Sequence, residues 1–138
     1  MNNTMKLEQQ VTSLELSKKL KELGVKQDSL FYWWLDPTVE GDIPEIVDHK
    51  PIKDIEGGML SLYDVYSAFT VAELGEMLPV RIGENTHLEC WFTALDEGMK
   101  YYHVGYRNNN DATQNEKTEA DARAKMLIWL IERDYITQ

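Results

Sequence analysis

From Glu119 to Arg133 the chain reads EADARAKMLIWLIER, and this run constrains the fold more than any other. At about 100° per residue, Ala120, Ala124, Leu127, Ile128 and Ile131 form one apolar helix face, while Ala122, Met126, Trp129 and Leu130 form a second on roughly the opposite side. A helix that is apolar on two sides has to be covered on two sides. One cover is a sheet, and the other is either another helix of the same chain or a second subunit. Large exposed apolar faces are uncommon on monomers, so Met126 and Trp129 on the second face are the candidate partner-binding residues.

The start of this helix is marked by Thr118, three residues before Asp121, and the same punctuation occurs at Thr12/Glu15 and Thr70/Glu73. A hydroxyl three positions ahead of a carboxylate is a capping box: the hydroxyl accepts from a free N–H of the first turn, and the carboxylate meets the positive end of the helix. Three helices are therefore expected. The first runs from Ser13 to Leu23, stopped by a left-handed Gly24. The second is a short one from Thr70, ended by Pro79. The third runs from Thr118 to about Arg133.

Between the helices, Leu30 to Leu35 is an aromatic run suited to a strand, closed by Asp36-Pro37. From Asp36 to Gly58 the chain is acidic and interrupted by Pro44, Pro51 and Gly57-Gly58, which predicts a long loop with room for a short strand. Met59 to Tyr66 is a second strand candidate. Leu88 to Leu95 and Lys100 to Arg107 read as an antiparallel hairpin around Asp96-Glu97-Gly98-Met99. Asn108 to Lys117 reads as a polar loop. The expected fold is α+β: a small antiparallel sheet with a C-terminal hairpin, flanked by three helices. A chain of 138 residues suits a single domain, with residues 1–11 as a disordered tail and 36–58 as the acidic loop region.

The net charge of −10 sits in the middle of the chain. Residues 1–35 carry five basic and four acidic groups, residues 36–99 three and fourteen, and residues 100–138 six of each. Such a field repels phosphate backbones, which disfavours direct nucleic-acid binding, and it serves either solubility or an acidic docking surface. The longest apolar run, Met126 to Ile131, is far short of the roughly 20 residues of a membrane span. A single cysteine and the start Met1-Asn2-Asn3-Thr4 predict a soluble protein of a reducing, cytoplasmic setting.

Chemistry-bearing patterns are sparse. His87-Leu88-Glu89-Cys90 holds the H-x-E of zinc deaminases without the P-C-x-x-C that accompanies it. If the hairpin pairs Leu95 with Lys100, His103 falls diagonally across from Cys90 on one face, where the two form a candidate nucleophile pair or half a metal site. Catalysis also needs a lowered thiol pKa and an orienting group, and structural zinc needs four ligands. A small buried thiol is the simpler account. No catalytic, cofactor or metal-binding residues are therefore assigned, and no cofactor is expected. Leu14 to Leu35 imitates a helix-turn-helix, but its charges nearly cancel and its second helix would offer Phe31 to Trp34 to the groove.

Three runs, LELSKKLKELGVKQDSLFYWW (14–34), YSAFTVAELGEMLP (66–79) and TEADARAKMLIWLIERDYI (118–136), together about two fifths of the chain, resemble small uncharacterised proteins encoded by phages and prophages of gut bacteria. The resemblance implies a genomic setting and carries no site residues with it. The function expected is that of a phage-type accessory protein that acts without catalysis, by binding a protein partner or itself as a homodimer. Two alternatives stand beside it: a small enzyme using carboxylates or Cys90/His103, and an acidic inhibitor that imitates nucleic acid to block a host defence enzyme.

Overall fold

The computed structural model describes residues 6–50, 64–83, 86–94, 100–107 and 109–136. Among these, the chain opens with a single helical turn, α1 (Leu7–Gln10), held at its start by a hydrogen bond from Lys6 N to Gln9 Oε1. The expected tail over 1–11 is thus corrected for its second half. Val11, the first fully buried residue, pairs with Thr70 in an isolated bridge, and burial of that apolar side chain fixes the segment.

The next helix, α2 (Leu14–Glu22), starts one residue later than the capping box predicts. Ser13 is the cap, its Oγ accepting from Leu16 N at 3.4 Å. Thr12 is drawn into the interior, where its hydroxyl meets Ser17 Oγ at 2.7 Å and accepts from Phe69 N at 3.1 Å. A buried N–H without a partner is costly, so Thr12 is used on the Phe69 backbone and the adjacent serine caps the helix. Gly24 follows with φ +90°.

Strands β1 (Phe31–Leu35), β2 (Glu45–Val47) and β3 (Asp64–Ala68) form an antiparallel sheet in the order β2-β1-β3, with Trp33 opposite Ile46 on one side and Tyr66 on the other. The short strand allowed for within the acidic stretch is β2. Residues 51–58 of the expected loop and 59–63 of the expected strand lie outside the described residues. Helix α3 (Val71–Met77) carries both halves of the capping box: Thr70 Oγ1 accepts from Glu73 N at 3.2 Å, and Glu73 Oε1 accepts from Thr70 N at 2.9 Å. It ends two residues before Pro79.

A second antiparallel sheet contains β4 (Leu88–Ala94), β5 (Lys100–Tyr106) and β6 (Asn109–Glu116) in that order. The hairpin is as expected, although its turn lies outside the described residues. The polar loop read over 108–117 is corrected, since β6 pairs with β5 from Tyr102–Glu116 to Tyr106–Asn109, with a register shift at Gly105/Tyr106. Its polar residues have little strand propensity of their own. They are held by the ladder to β5 and by packing against the last helix, and context of this kind overrides propensity in strands.

That last helix, α4 (Glu119–Glu132), is capped by Thr118, whose Oγ1 accepts from Asp121 N at 3.2 Å. It packs against β5 and β6 and also against α2 and α3, while α2 in turn packs on β3. Both apolar faces are therefore covered from within the chain. Ala120, Ala122 and Ala124 are fully buried together with Met126, Leu127 and Leu130, and they pack with Leu20, Phe69, Leu74 and Val104 in one core. The fold is mixed α+β, with two small three-stranded sheets and four helices among the described residues.

Candidate functional site

Met126, expected on a partner-binding face, has no exposed surface, and it belongs to the core of the single chain. Trp129 lies at the edge of that core with 9% of its surface exposed. Its ring stacks on Tyr135 with centroids 5.4 Å apart, and the Arg133 guanidinium sits 4.5 Å from the ring centroid. The turn that follows α4 thus adds to the cover the core gives this residue, and a groove among Leu16, Lys19, Lys125 and Ile128 opens beside it.

The Cys90/His103 pair is corrected by register. Ala94, not Leu95, is opposite Lys100, so Cys90 pairs with Val104 and His103 with Trp91. A shift of one residue exchanges the faces of a strand, and the two side chains point to opposite sides of the sheet. Cys90 lies on the side of Val104 and Tyr106, near Arg123 and Glu119 of α4. Desolvation raises its thiol pKa, Arg123 opposing and Glu119 adding to the shift. The residue as a whole is exposed, so that desolvation is partial, but its direction is the reverse of what nucleophilic activation requires. Burial likewise raises Tyr106, whose hydroxyl donates to Pro79 O at 2.8 Å. Among the described residues no group of three or more His, Cys, Asp or Glu is placed to hold a metal ion, and no helix is long and apolar enough to cross a membrane. Where a DNA-reading second helix would follow α2, the chain forms strand β1.

What the fold assembles instead is a lobe around the β1–β2 connection. Trp33 and Trp34 are adjacent in a strand and so point to opposite faces of the sheet. Trp33 is fixed by a 2.8 Å hydrogen bond from its Nε1 to Thr12 O. After β1 the chain turns on Asp36, whose Oδ1 accepts from Thr38 N at 2.9 Å and from Thr38 Oγ1 at 2.6 Å. Asp36 N donates to Asp42 Oδ2 at 2.7 Å, closing a loop in which Gly41 takes φ +76°. This loop presents Val39 and Ile43 to solvent, 51% and 79% exposed.

Two open grooves flank the lobe. The larger, about 650 Å³, lies among Leu7, Leu14, Trp33, Pro44 and Ile46, with Glu8 and Glu45 as its charged groups. The smaller, about 260 Å³, lies on the Trp34 side with Leu35, Val39 and Ile43, and its charged groups are Asp36, Asp42 and Glu45. Among the described residues Asp36, Glu40, Asp42 and Glu45 make no ion pair. The acidic character of this segment was visible in sequence, but its grooves were not, because Leu7 and Leu14 join Trp33 and Ile46 only through the tertiary fold. A signal was present in Val39 and Ile43, two β-branched apolar residues set among carboxylates with no helical or strand period. Compared with known proteins, the chain matches no family model, no curated protein and no solved structure.

Proposed function

We propose that this chain is a non-enzymatic accessory protein, of the phage and prophage kind its helices resemble, and that it works by binding another protein through the β1–β2 lobe. The observation that supports this reading is the lobe itself: apolar Val39 and Ile43 stand exposed along the smaller, mixed polar and apolar groove, the larger groove beside it is mainly apolar, and the charged groups lining both are all acidic. Interfaces join an apolar centre to a charged rim, and an unpaired acidic rim selects its partner by sign. The enzymatic alternative loses its best geometry, since Cys90 and His103 face apart. Self-association through Met126 finds little support, because that side chain is enclosed by its own chain.

The test is site-specific photo-crosslinking in bacterial cells that carry the protein's genetic neighbourhood. A crosslinking residue at position 43 is expected to yield one discrete protein adduct, and the same residue at exposed Tyr135 should not. Equal labelling from both positions, or none from position 43, would overturn the assignment of the lobe.

A further inference from the structure

We infer that the larger groove, between α1, the start of α2 and the β1–β2 pair, seats a partner segment that carries apolar side chains flanked by lysine or arginine. This rests on the protein-binding reading above and names the chemistry of the partner. The floor is preformed. Trp33 is held at its indole nitrogen by Thr12 O, and Leu14 sits in the first turn of a helix capped by Ser13, so little has to be reorganised when a side chain enters. The volume of about 650 Å³ is that of a ligand cleft, and the lining is apolar apart from Glu8 and Glu45, which favours leucine-like or aromatic side chains over polar ones.

The sign of the partner follows from charge. From Asp36 to Asp48 the sequence carries five carboxylates and no lysine or arginine, and Glu45 belongs to both grooves. Single exposed ion pairs contribute little, but a field of one sign attracts a basic segment, speeds its association and repels acidic proteins, phosphate backbones and anionic membranes. A second copy of this chain fits poorly. Its net charge is −10, and the lysines of its amphipathic basic helix are already engaged: Lys18 lies over Tyr66, Lys19 pairs with Glu132 at 3.6 Å, and Lys21 donates to Val65 O at 3.1 Å.

The probe is a labelled amphipathic peptide of leucine and lysine, followed by fluorescence anisotropy at low and high salt. Two controls accompany it, one with every lysine changed to glutamate and one with every leucine changed to serine. Wild type is expected to bind the parent peptide at least roughly tenfold more tightly than either control, with affinity falling as salt rises. The double variant Glu8→Lys/Glu45→Lys alters two exposed side chains outside the core, and it should weaken binding by roughly tenfold or more while the thermal transition stays in place. Equal binding of the serine control would reduce the effect to attraction of a polycation and overturn the groove. So would an unchanged double variant, or a doubled mass in sedimentation with no peptide bound. If the double variant still crosslinks its cellular partner from position 43, the groove inference falls and the protein-binding reading stands. If neither peptide nor crosslink appears, both fall.

Discussion

Gly75 lies inside α3, and a methyl group added there would stand 2.7 Å from Nη1 of Arg123 on α4. Gly75→Ala therefore sets two effects against each other. In a helix interior the change from glycine to alanine is worth about 0.8–1 kcal/mol. Against it, the Arg123 guanidinium has to move. It is mostly buried, with 18% side-chain exposure, and Nη2 holds Glu119 Oε1 at 3.2 Å in an i,i+4 pair. Such a pair is worth about 0.3–0.5 kcal/mol, and the packed guanidinium loses contacts besides. The net gain in the wild-type background should therefore be close to zero, within about 0.5 kcal/mol. Once Arg123→Ala has cleared the space, the same substitution should stabilise by about 1 kcal/mol. Urea unfolding of the four proteins in the cycle reads this directly, from midpoints and m-values. A coupling of about 0.5–1.5 kcal/mol is expected, to be read against additivity scatter of about 0.3–0.5. An equal gain of about 1 kcal/mol in both backgrounds would refute the contact, and with it the way α3 is laid on α4.

Leu127 is fully buried in the core, so Leu127→Ala should cost on the order of 2–5 kcal/mol in the same assay, and an unchanged midpoint would make α4 peripheral. Asp121 accepts from Ser13 N at 2.8 Å, but burial is the largest influence on its carboxyl and holds the pKa above the ordinary aspartate value, Glu116 adding while Ser13 and Lys125 oppose. The folded state then binds the proton more tightly than the unfolded state. The stability of wild type relative to Asp121→Asn should accordingly be greatest below the ordinary aspartate value and fall as pH rises through the raised one; a difference that grows with pH would contradict this. Cys90→Ser and His103→Ala point to opposite sheet faces and should each leave purified protein folded, by circular dichroism, and without zinc by elemental analysis, whereas stoichiometric zinc in wild type that either change removes would reinstate the pair.

The parts of the fold that could be read from sequence are those in which local chemistry is decisive. Thr70-x-x-Glu73 has no neighbouring hydroxyl to compete with it, and the box forms as written. Thr12-Ser13 offers two hydroxyls in succession, and only the tertiary demand of the Phe69 N–H shows which one caps α2. The two-sided apolar pattern of α4 needs no partner to be recognised, but the choice between an internal helix and a second subunit as its cover is settled by α2 and α3. Strand β6 was illegible because nothing in Asn109 to Glu116 alternates. The hairpin was legible and its register was not: pairing Ala94 rather than Leu95 with Lys100 is a shift of one residue, enough to separate Cys90 from His103. The candidate site was half visible, as a run of carboxylates. Its apolar floor comes from Leu7, Leu14 and Trp33, distant in sequence, and no local pattern joins them.

The same division governs where this molecule can meet another. Its most apolar element is enclosed between a sheet and two helices, and at that boundary Trp129, its largest side chain, is stacked by Tyr135 and overlain by Arg133. The open groove beside it, among Leu16, Ile128 and Trp129, is rimmed by Lys19, Lys125 and Glu132, and a charged partner there would compete with the Lys19–Glu132 and Lys125–Glu116 pairs the chain already makes. At the β1–β2 lobe no such exchange is required, since Val39 and Ile43 face solvent and the adjoining carboxylates have no ion-pair partner among the described residues. Association there gains apolar burial without first breaking a contact, and the acidic rim gives that gain a sign. On the proposed reading, recognition falls to the segment with the least regular structure among the described residues, positioned by a core that is complete without it.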